Sequence, residues 1–338
     1  MSSDEFAPTR GRSSEVHAHS GQPVPANVRA VLRVGNEFFL RCIDSMAAVA
    51  GNDLIKALVF TAIWTANVKH ITNSAANRRY AGMDEIPPDA LRKPVSVLAI
   101  SNSLCIPYET VRRYVQTLLR EGTCIRVGGK GVLVPAEVVA RGSHHDAIRE
   151  GVPSLLRFLT DLKRVGFDFA PYRHRLPTTV PMPMPQDGTP PPNMRAVLRV
   201  VMEMMMRGID ELGILHKGDF LYAIIFTAIW TANVRHITAS SENLKYGGLT
   251  ELPPDEARRP ITVNAVASSL RMPYETVRRY AGKMVQDGSA VRIGVKGLIV
   301  PRERLAIEDG YESVRSVYAN IERSMLALYR AGFDFSGY

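Results

Sequence analysis

Apolar residues recur at helical spacing close to the start of the chain. Within residues 29–46, Val31, Val34, Phe38 and Ile43 fall on or near one face of a helix. This spacing predicts an amphipathic first helix that packs one side on a core.

The next periodic segment, residues 53–72, is apolar around most of its circumference. Phe60, Ile63 and Trp64 lie within it, and a polar loop with two adjacent prolines follows it. We expect a second helix that is buried on several sides, because no face of it is consistently polar.

A different pattern follows Pro94. A short helix is predicted to end at Leu104, and after a tight turn Pro107 opens a longer helix that Gly122 closes. Two short runs rich in β-branched residues then flank a basic, glycine-rich tip in "IRVGGKGVLV". Such a pair of runs predicts a β-hairpin.

The whole pattern occurs twice. Residues 29–172 align without a gap with residues 195–338 when the chain is shifted by 166 positions. A period this long predicts two whole domains rather than a solenoid, and the fold is expected to be mainly α-helical with small β-hairpins. The predicted organisation is a disordered tail at 1–27, a first repeat at 28–172, a proline-rich linker at 173–193 and a second repeat at 194–338.

Two stretches are nearly unchanged between the repeats. "FTAIWTANVKHIT" in the first becomes "FTAIWTANVRHIT" in the second, and "PYETVRRY" is the same at 107–114 and 273–280. Neighbouring positions have changed more, so these stretches are the first candidates for function or for contact between the repeats.

Composition favours a protein with an anionic partner. The formal net charge is +9 and the calculated isoelectric point is 9.6. Nucleic acid, membrane headgroups and acidic proteins all remain open on charge alone. The three cysteines, Cys42, Cys105 and Cys124, have no cysteine counterparts in the second repeat. No repeated disulfide or zinc site is therefore expected, and the N-terminus resembles no signal peptide, so we expect a cytoplasmic protein without membrane segments.

The segment after Pro94 resembles the winged helix-turn-helix superfamily of bacterial transcription regulators. The similarity covers about 42 residues of each repeat, from "VSVLAISNSLCIPYETVRRY" and "ITVNAVASSLRMPYETVRRY" through the hairpin. Within the superfamily it looks like the MarR-type and GntR-type DNA-binding modules. The helices before and after each segment resemble the MarR layout, in which flanking helices dimerise. The resemblance implies two tandem winged helix-turn-helix domains, each flanked by N-terminal and C-terminal helices.

In a helix that begins at Pro107, apolar residues fall on one face, and five polar residues point away from it: Glu109, Thr110, Arg112, Arg113 and Gln116. If this helix enters a major groove, its first turns meet base edges, and the basic hairpin suits phosphate or minor-groove contact. An ordinary solvated helix face and an ordinary exposed hairpin are the competing interpretations. The predicted DNA-binding residues are Tyr108, Glu109, Thr110, Arg112, Arg113, Arg126 and Lys130 in the first repeat, and Tyr274, Glu275, Thr276, Arg278, Arg279, Arg292 and Lys296 in the second.

The tryptophan-containing stretch is interpreted as core or as an interface between repeats, with a ligand pocket as the less favoured alternative. Trp64 and Trp230 each need a partner for the indole N–H, and spacing places Asn67 and Asn233 near them. No catalytic, metal-binding or cofactor-binding pattern is found, so we expect a protein that is not an enzyme.

The sequence therefore predicts a DNA-binding regulator whose repeats form an intrachain pseudo-dimer and recognise two similar half-sites on double-stranded DNA with helices at 107–121 and 273–287. A plasmid-type or phage-type replication initiator with paired winged helices is an alternative, and so is a winged-helix protein-interaction module. A small-molecule effector and further homo-oligomerisation stay open.

Overall fold

A computed structural model describes residues 23–129, 131–173, 191–295 and 297–338. The described part of the protein is mainly helical, with 65% of those residues in helices and small antiparallel sheets beside them. The predicted tail and the predicted linker lie largely outside the described residues.

The first repeat begins with two long helices and a short one. A helix–hairpin unit follows, in which two helices precede a β-hairpin, and then a short helix and a long helix end the repeat. Its helices are α1 (Val28–Val49), α2 (Leu54–Thr72), α3 (Ala76–Arg79), α4 (Val97–Leu104), α5 (Tyr108–Arg120), α6 (Ala136–Val139) and α7 (Gly142–Arg164), and its strands are β1 (Val95–Ser96), β2 (Ile125–Val127) and β3 (Gly131–Leu133).

The second repeat has the same order of elements. Its helices are α8 (Met194–Leu215), α9 (Phe220–Thr238), α10 (Glu242–Lys245), α11 (Val263–Ser269), α12 (Tyr274–Gln286), α13 (Arg302–Leu305) and α14 (Glu308–Arg330), and its strands are β4 (Ile261–Thr262), β5 (Val291–Ile293) and β6 (Gly297–Ile299).

Local sequence explains where these helices begin and end. Asp53 caps α2 by accepting a hydrogen bond from the Lys56 backbone N–H, and Ser96 caps α4 in the same way. Gly122 follows α5 with a positive φ, a conformation that glycine adopts without strain. The predicted helices and hairpin of this part of the chain are therefore present at the predicted places.

Each hairpin gains a third strand that the sequence analysis did not predict. In the first repeat the strand order is β1-β3-β2 and all pairs are antiparallel, with Val95 opposite Val132 and Ile125 opposite Leu133. The second repeat has the order β4-β6-β5. The added strand has two residues, which is too short for an alternating pattern to show.

The core runs through both repeats. Helix α1 packs on α2 and α7 of its own repeat and on α9 and α14 of the other, while α8 packs on α2 and α4 of the first repeat. Phe38 of α1 stacks on Phe158 of α7 with ring centroids 4.2 Å apart, and both side chains are fully buried. The two repeats are thus held together by their long helices, which bury most of their apolar side chains.

Buried arginines join the repeats in a reciprocal way. Arg29 donates to the backbone oxygen of Leu249, and Arg195, its counterpart, donates to that of Met83. Arg33 and Arg199 donate in the same manner to Asn243 and Asn77 of the opposite repeat. Because each repeat supplies the same donors and the same acceptors, the contact has the pattern of an isologous dimer interface.

The repeated "GFDF" endings also meet each other. The rings of Phe169 and Phe335 are 5.7 Å apart, and Phe169 lies 5.6 Å from the ring of Tyr338. Tyr172 of the first repeat lies 5.7 Å from Phe335 of the second. Aromatic side chains at both C-terminal ends therefore form one cluster across the interface.

Within the part of the chain that the structure describes, one helix, α9, is long and apolar enough to cross a membrane by length and composition, and α1 with α2 would pass the same test as one bent span. Within the apolar window of α9, 78% of the residues are buried inside the protein. Core helices of soluble proteins share these properties, so this is weak evidence for a membrane span.

Candidate nucleic-acid interface

Helix α5 presents a polar face outward. Val111, Val115 and Leu118 are buried and hold the helix against the core, as the helical spacing predicted. The predicted outward residues Glu109, Arg112 and Arg113 are exposed, Thr110 is half-buried and Tyr108 is 43% exposed.

Helix α12 repeats this arrangement. Val277, Ala281 and Met284 are its buried residues. Glu275, Arg278 and Arg279 are exposed, Thr276 is half-buried and Tyr274 is 47% exposed. Glu109, Thr110, Arg112 and Arg113 therefore line one open surface of α5, and their four identical counterparts line the equivalent surface of α12.

An ion pair organises that face in both repeats. The Arg112 Nε–H donates to Glu109 Oε2 over 2.8 Å, and Arg278 donates to Glu275 over the same distance. Hydrogen bonding and the charge of Glu275 raise the pKa of Arg278 above its ordinary value. These pairs are solvent-exposed, so they add little stability, but they hold one arginine beside a carboxylate acceptor.

The second arginine of each helix lies over an aromatic ring. The guanidinium carbon of Arg113 is 5.6 Å from the ring centroid of Tyr114, and Arg279 is 5.4 Å from that of Tyr280. A guanidinium within about 6 Å of the ring centroid is attracted to the ring face. Its donors stay exposed, and a planar guanidinium can form two parallel hydrogen bonds with an acceptor pair.

The outer strand of each hairpin lies on the surface. Arg126 of β2 and Arg292 of β5 are exposed, as are the other residues of these two strands. The predicted tip residues Lys130 and Lys296 lie outside the described residues. The structure therefore offers one basic side chain per hairpin at a described position.

Asn67 ties the hairpin to helix α2. Its side-chain amide donates to the backbone oxygens of Lys93 and Val132 over 2.8 and 3.2 Å, and its oxygen accepts from the Val134 N–H. Asn233 makes the equivalent three bonds in the second repeat. Both asparagines are fully buried, and they connect elements within one repeat. Both N–H groups of each side-chain amide therefore donate to backbone oxygens, whereas spacing suggested that the asparagines would be partners of the tryptophan indoles.

The two tryptophans lie in the core layer. Trp230 is 6% exposed, while Trp64 is half-buried and packs against the core. Their helices reach the other repeat, because α2 contacts α8 and α9 contacts α1. The cavity between the repeats is lined by other residues, among them Phe38, Met205 and Ile321.

That cavity measures about 40 Å³. Ligand pockets usually have roughly 300 Å³ or more. Met204 and Met205, from the methionine-rich run of α8, line it, and Glu211 lies at its edge. In this conformation the cavity has no room for an effector.

The turns between the paired helices contact the opposite repeat. Cys105 has a left-handed φ of 51°, and a side chain at Gly213 of α8 would collide with its sulfur. In the second repeat Arg271 occupies the equivalent position and donates to Asp44 and Asn52 of the first repeat, each over 2.5 Å. Each helix–hairpin unit is therefore positioned by the first helix of the other repeat or the residues just after it.

Sequence reasoning missed the buried arginines that join the repeats. Arg29, Arg33, Arg195 and Arg199 are each at most 2% exposed, and burial lowers the pKa of Arg33 and Arg199 to about 10. The available signal was "RAVLRV", which is identical in both repeats, with arginines four residues apart. Among the described residues, no group of three or more His, Cys, Asp or Glu side chains is placed to hold a metal ion.

Comparison of the chain with protein-family models, with curated proteins and with solved structures found no match.

Proposed function

We propose that the chain is a sequence-specific regulator of transcription that binds double-stranded DNA, without enzymatic activity, through two winged helix-turn-helix repeats fused into an intrachain pseudo-dimer. Helices α5 and α12 act as recognition helices, and the hairpins act as wings. The proposal implies a cytoplasmic protein.

One observation carries this proposal. In the first half of the recognition helices, the exposed residues Glu109, Arg112 and Arg113 and the half-buried Thr110 have identical counterparts in the second repeat, whereas the buried residues Val115 and Leu118 further along correspond to Ala281 and Met284. Requirements of packing alone would restrain the buried residues first. Retention of an exposed basic face instead favours a shared external partner.

The chemistry of that face suits the major groove. Arg113 and Arg279 can each donate two hydrogen bonds to guanine, and Glu109 and Glu275 can accept from cytosine. Arg112 and Arg278, held by their glutamates, suit phosphate or an adjacent base. The net charge of +9 favours association with a polyanion and makes binding depend on salt.

The reciprocal contact between the repeats supports recognition of two similar half-sites. A pseudo-twofold pair of recognition helices would enter successive major grooves about 34 Å apart. Each helix–hairpin unit also rests on the other repeat through Cys105 or Arg271, which favours a fixed spacing between the half-sites.

Charge reversal tests the proposal. The variant R112E/R113E should lower affinity for duplex DNA at about 150 mM salt by more than a hundredfold, since it removes base and phosphate contacts and adds repulsion. The matched control R149E/R157E changes the net charge equally through two exposed arginines of α7 and should lose far less. Equal losses in both variants would indicate general electrostatic attraction, and no loss in either would favour a protein-interaction module.

A further inference from the structure

In their C-terminal halves the two recognition helices differ at the three positions that are polar in α5. Gln116, Thr117 and Arg120 of α5 correspond to Gly282, Lys283 and Gln286 of α12. Gln116 and Arg120 are exposed and share one outward surface with Glu109, Arg112 and Arg113. In α5, exposed polar side chains therefore extend the surface formed by the residues that are identical in both repeats. In α12 the corresponding surface is not extended in this way.

Gln116 is suited to contact a base. It lies one turn beyond Arg112 and Arg113 on the same surface of α5. A glutamine side chain pairs with adenine by donating to N7 and accepting from the N6 amino group. If Arg113 contacts a base, Gln116 is placed to contact a neighbouring base pair of the same half-site.

Arg120 lengthens this surface further. It lies seven residues beyond Arg113, which is about 10 Å along the helix axis at 1.5 Å per residue. That is roughly three base-pair steps of 3.4 Å. Its guanidinium donates to Thr117 Oγ1 over 3.1 Å and is exposed.

Gly282 has no structural reason to be glycine. A Cβ atom built at this position meets nothing within 4 Å, and its φ is not in the left-handed region. Glycine within a helix is less stabilising than alanine. The site therefore tolerates a side chain sterically, and its absence leaves no group that can contact a base there.

Lys283 does not replace the missing amide. Its ammonium group lies 3.3 Å from Asp219 and 5.3 Å from the ring centroid of Tyr222, so it faces the body of its own repeat. Gln286 is exposed at the end of α12 and lacks the charge of Arg120.

We propose that the chain binds an asymmetric duplex in one orientation, because Gln116 specifies an adenine in the first half-site while Gly282 leaves the equivalent base pair of the second half-site unspecified. This inference rests on the proposed function. A symmetric homodimer would require the same bases in both half-sites, whereas the fused pair can prefer different ones.

The test uses the full chain, its preferred duplex, and two duplexes in which the base pair opposite position 116 or position 282 is replaced. For the native chain, replacement in the first half-site should weaken binding about 5-fold to 150-fold, and replacement in the second less than twofold. In Q116G the first loss should disappear. In G282Q a new preference for adenine should arise in the second half-site.

The variant Q116A distinguishes the effect of losing the glutamine amide from the effect of weakening the helix. It should behave like Q116G in base preference, although alanine supports the helix better than glycine. Equal base preference in both half-sites of the native chain would overturn the inference while leaving the proposed function intact. Absence of any base preference in the native chain would overturn both.

Discussion

At the scale of single residues, Asn67 connects the first hairpin to helix α2 through three hydrogen bonds of its buried side chain. For α5, helical spacing predicted correctly that Val111 is buried and Arg113 exposed. The role of Asn67 could not be predicted, because its three partners lie 26 to 67 positions away in the sequence. The role of a buried side-chain amide can be assigned only when its hydrogen-bond partners are known.

The bonds of Asn67 give a prediction about stability. In N67A the Val134 N–H and two backbone oxygens lose their buried partner, so the free energy of unfolding should fall by about 2–4 kcal/mol. Urea denaturation measures this change. Q116A, which alters an exposed polar residue of the same repeat, should stay within about 0.5 kcal/mol of the native chain. A loss in N67A no larger than in Q116A would show that the hairpin does not depend on this asparagine.

At the scale of elements, the sequence predicted the long helices, the helix–hairpin units and the glycine that ends each recognition helix. The prediction missed β1 and β4, whose two residues each are defined by their pairing with β3 and β6. It also did not predict that α8 packs on α2 and α4 of the first repeat. Contacts between elements far apart in sequence decide that, and local periodicity does not contain them.

Helix α8 buries an acidic group at the cavity between the repeats. Burial raises the pKa of Glu211 to about 7, although Arg323, a hydrogen bond with Ser316 and Arg207 each lower it. Because the folded chain binds this proton more tightly than the unfolded chain, the resulting stability is present below pH 4.5 and is lost as the pH rises towards 7.

The variant E211Q replaces the carboxyl group with a neutral amide, so it removes the loss of stability that occurs as the pH rises towards 7. Its free energy of unfolding should exceed that of the native chain by about 1–3 kcal/mol at pH 8, and this advantage should vanish below about pH 4.5. Urea denaturation of both chains between pH 4 and 8 provides the comparison. A difference that does not change over this range would contradict the assigned shift.

At the scale of the whole molecule, the sequence predicted contact between the repeats through flanking helices and the tryptophan-containing stretch, but it did not predict the buried arginines that join them. Arginine is rarely fully buried, so Arg29 and Arg33 were not predicted to lie in an interface, although "RAVLRV" is identical in both repeats. Their partners are backbone oxygens and an asparagine of the opposite repeat, which only the folded arrangement brings near. The repeated "GFDF" endings likewise form an aromatic cluster across the interface that only the folded arrangement reveals.

These contacts predict that the repeats stay together without a covalent link. A protease site inserted within residues 174–190 should allow complete cleavage, and the two fragments should still elute as one species at about 150 mM salt. Buried apolar surface and reciprocal hydrogen bonds hold them, and neither involves the inserted site. Elution as two separate fragments would show that the linker is needed to keep the repeats associated.

The central claim is that two similar recognition surfaces in one chain bind two similar half-sites. Selection of bound sequences from a random duplex library, at about 150 mM salt to suppress purely electrostatic binding, tests it most directly. We predict enrichment of one short motif in two copies at a fixed spacing, with an inverted arrangement if the protein is a regulator and direct repeats if it is an initiator. Retention of duplexes without an enriched motif, or no retention at all, would contradict the account.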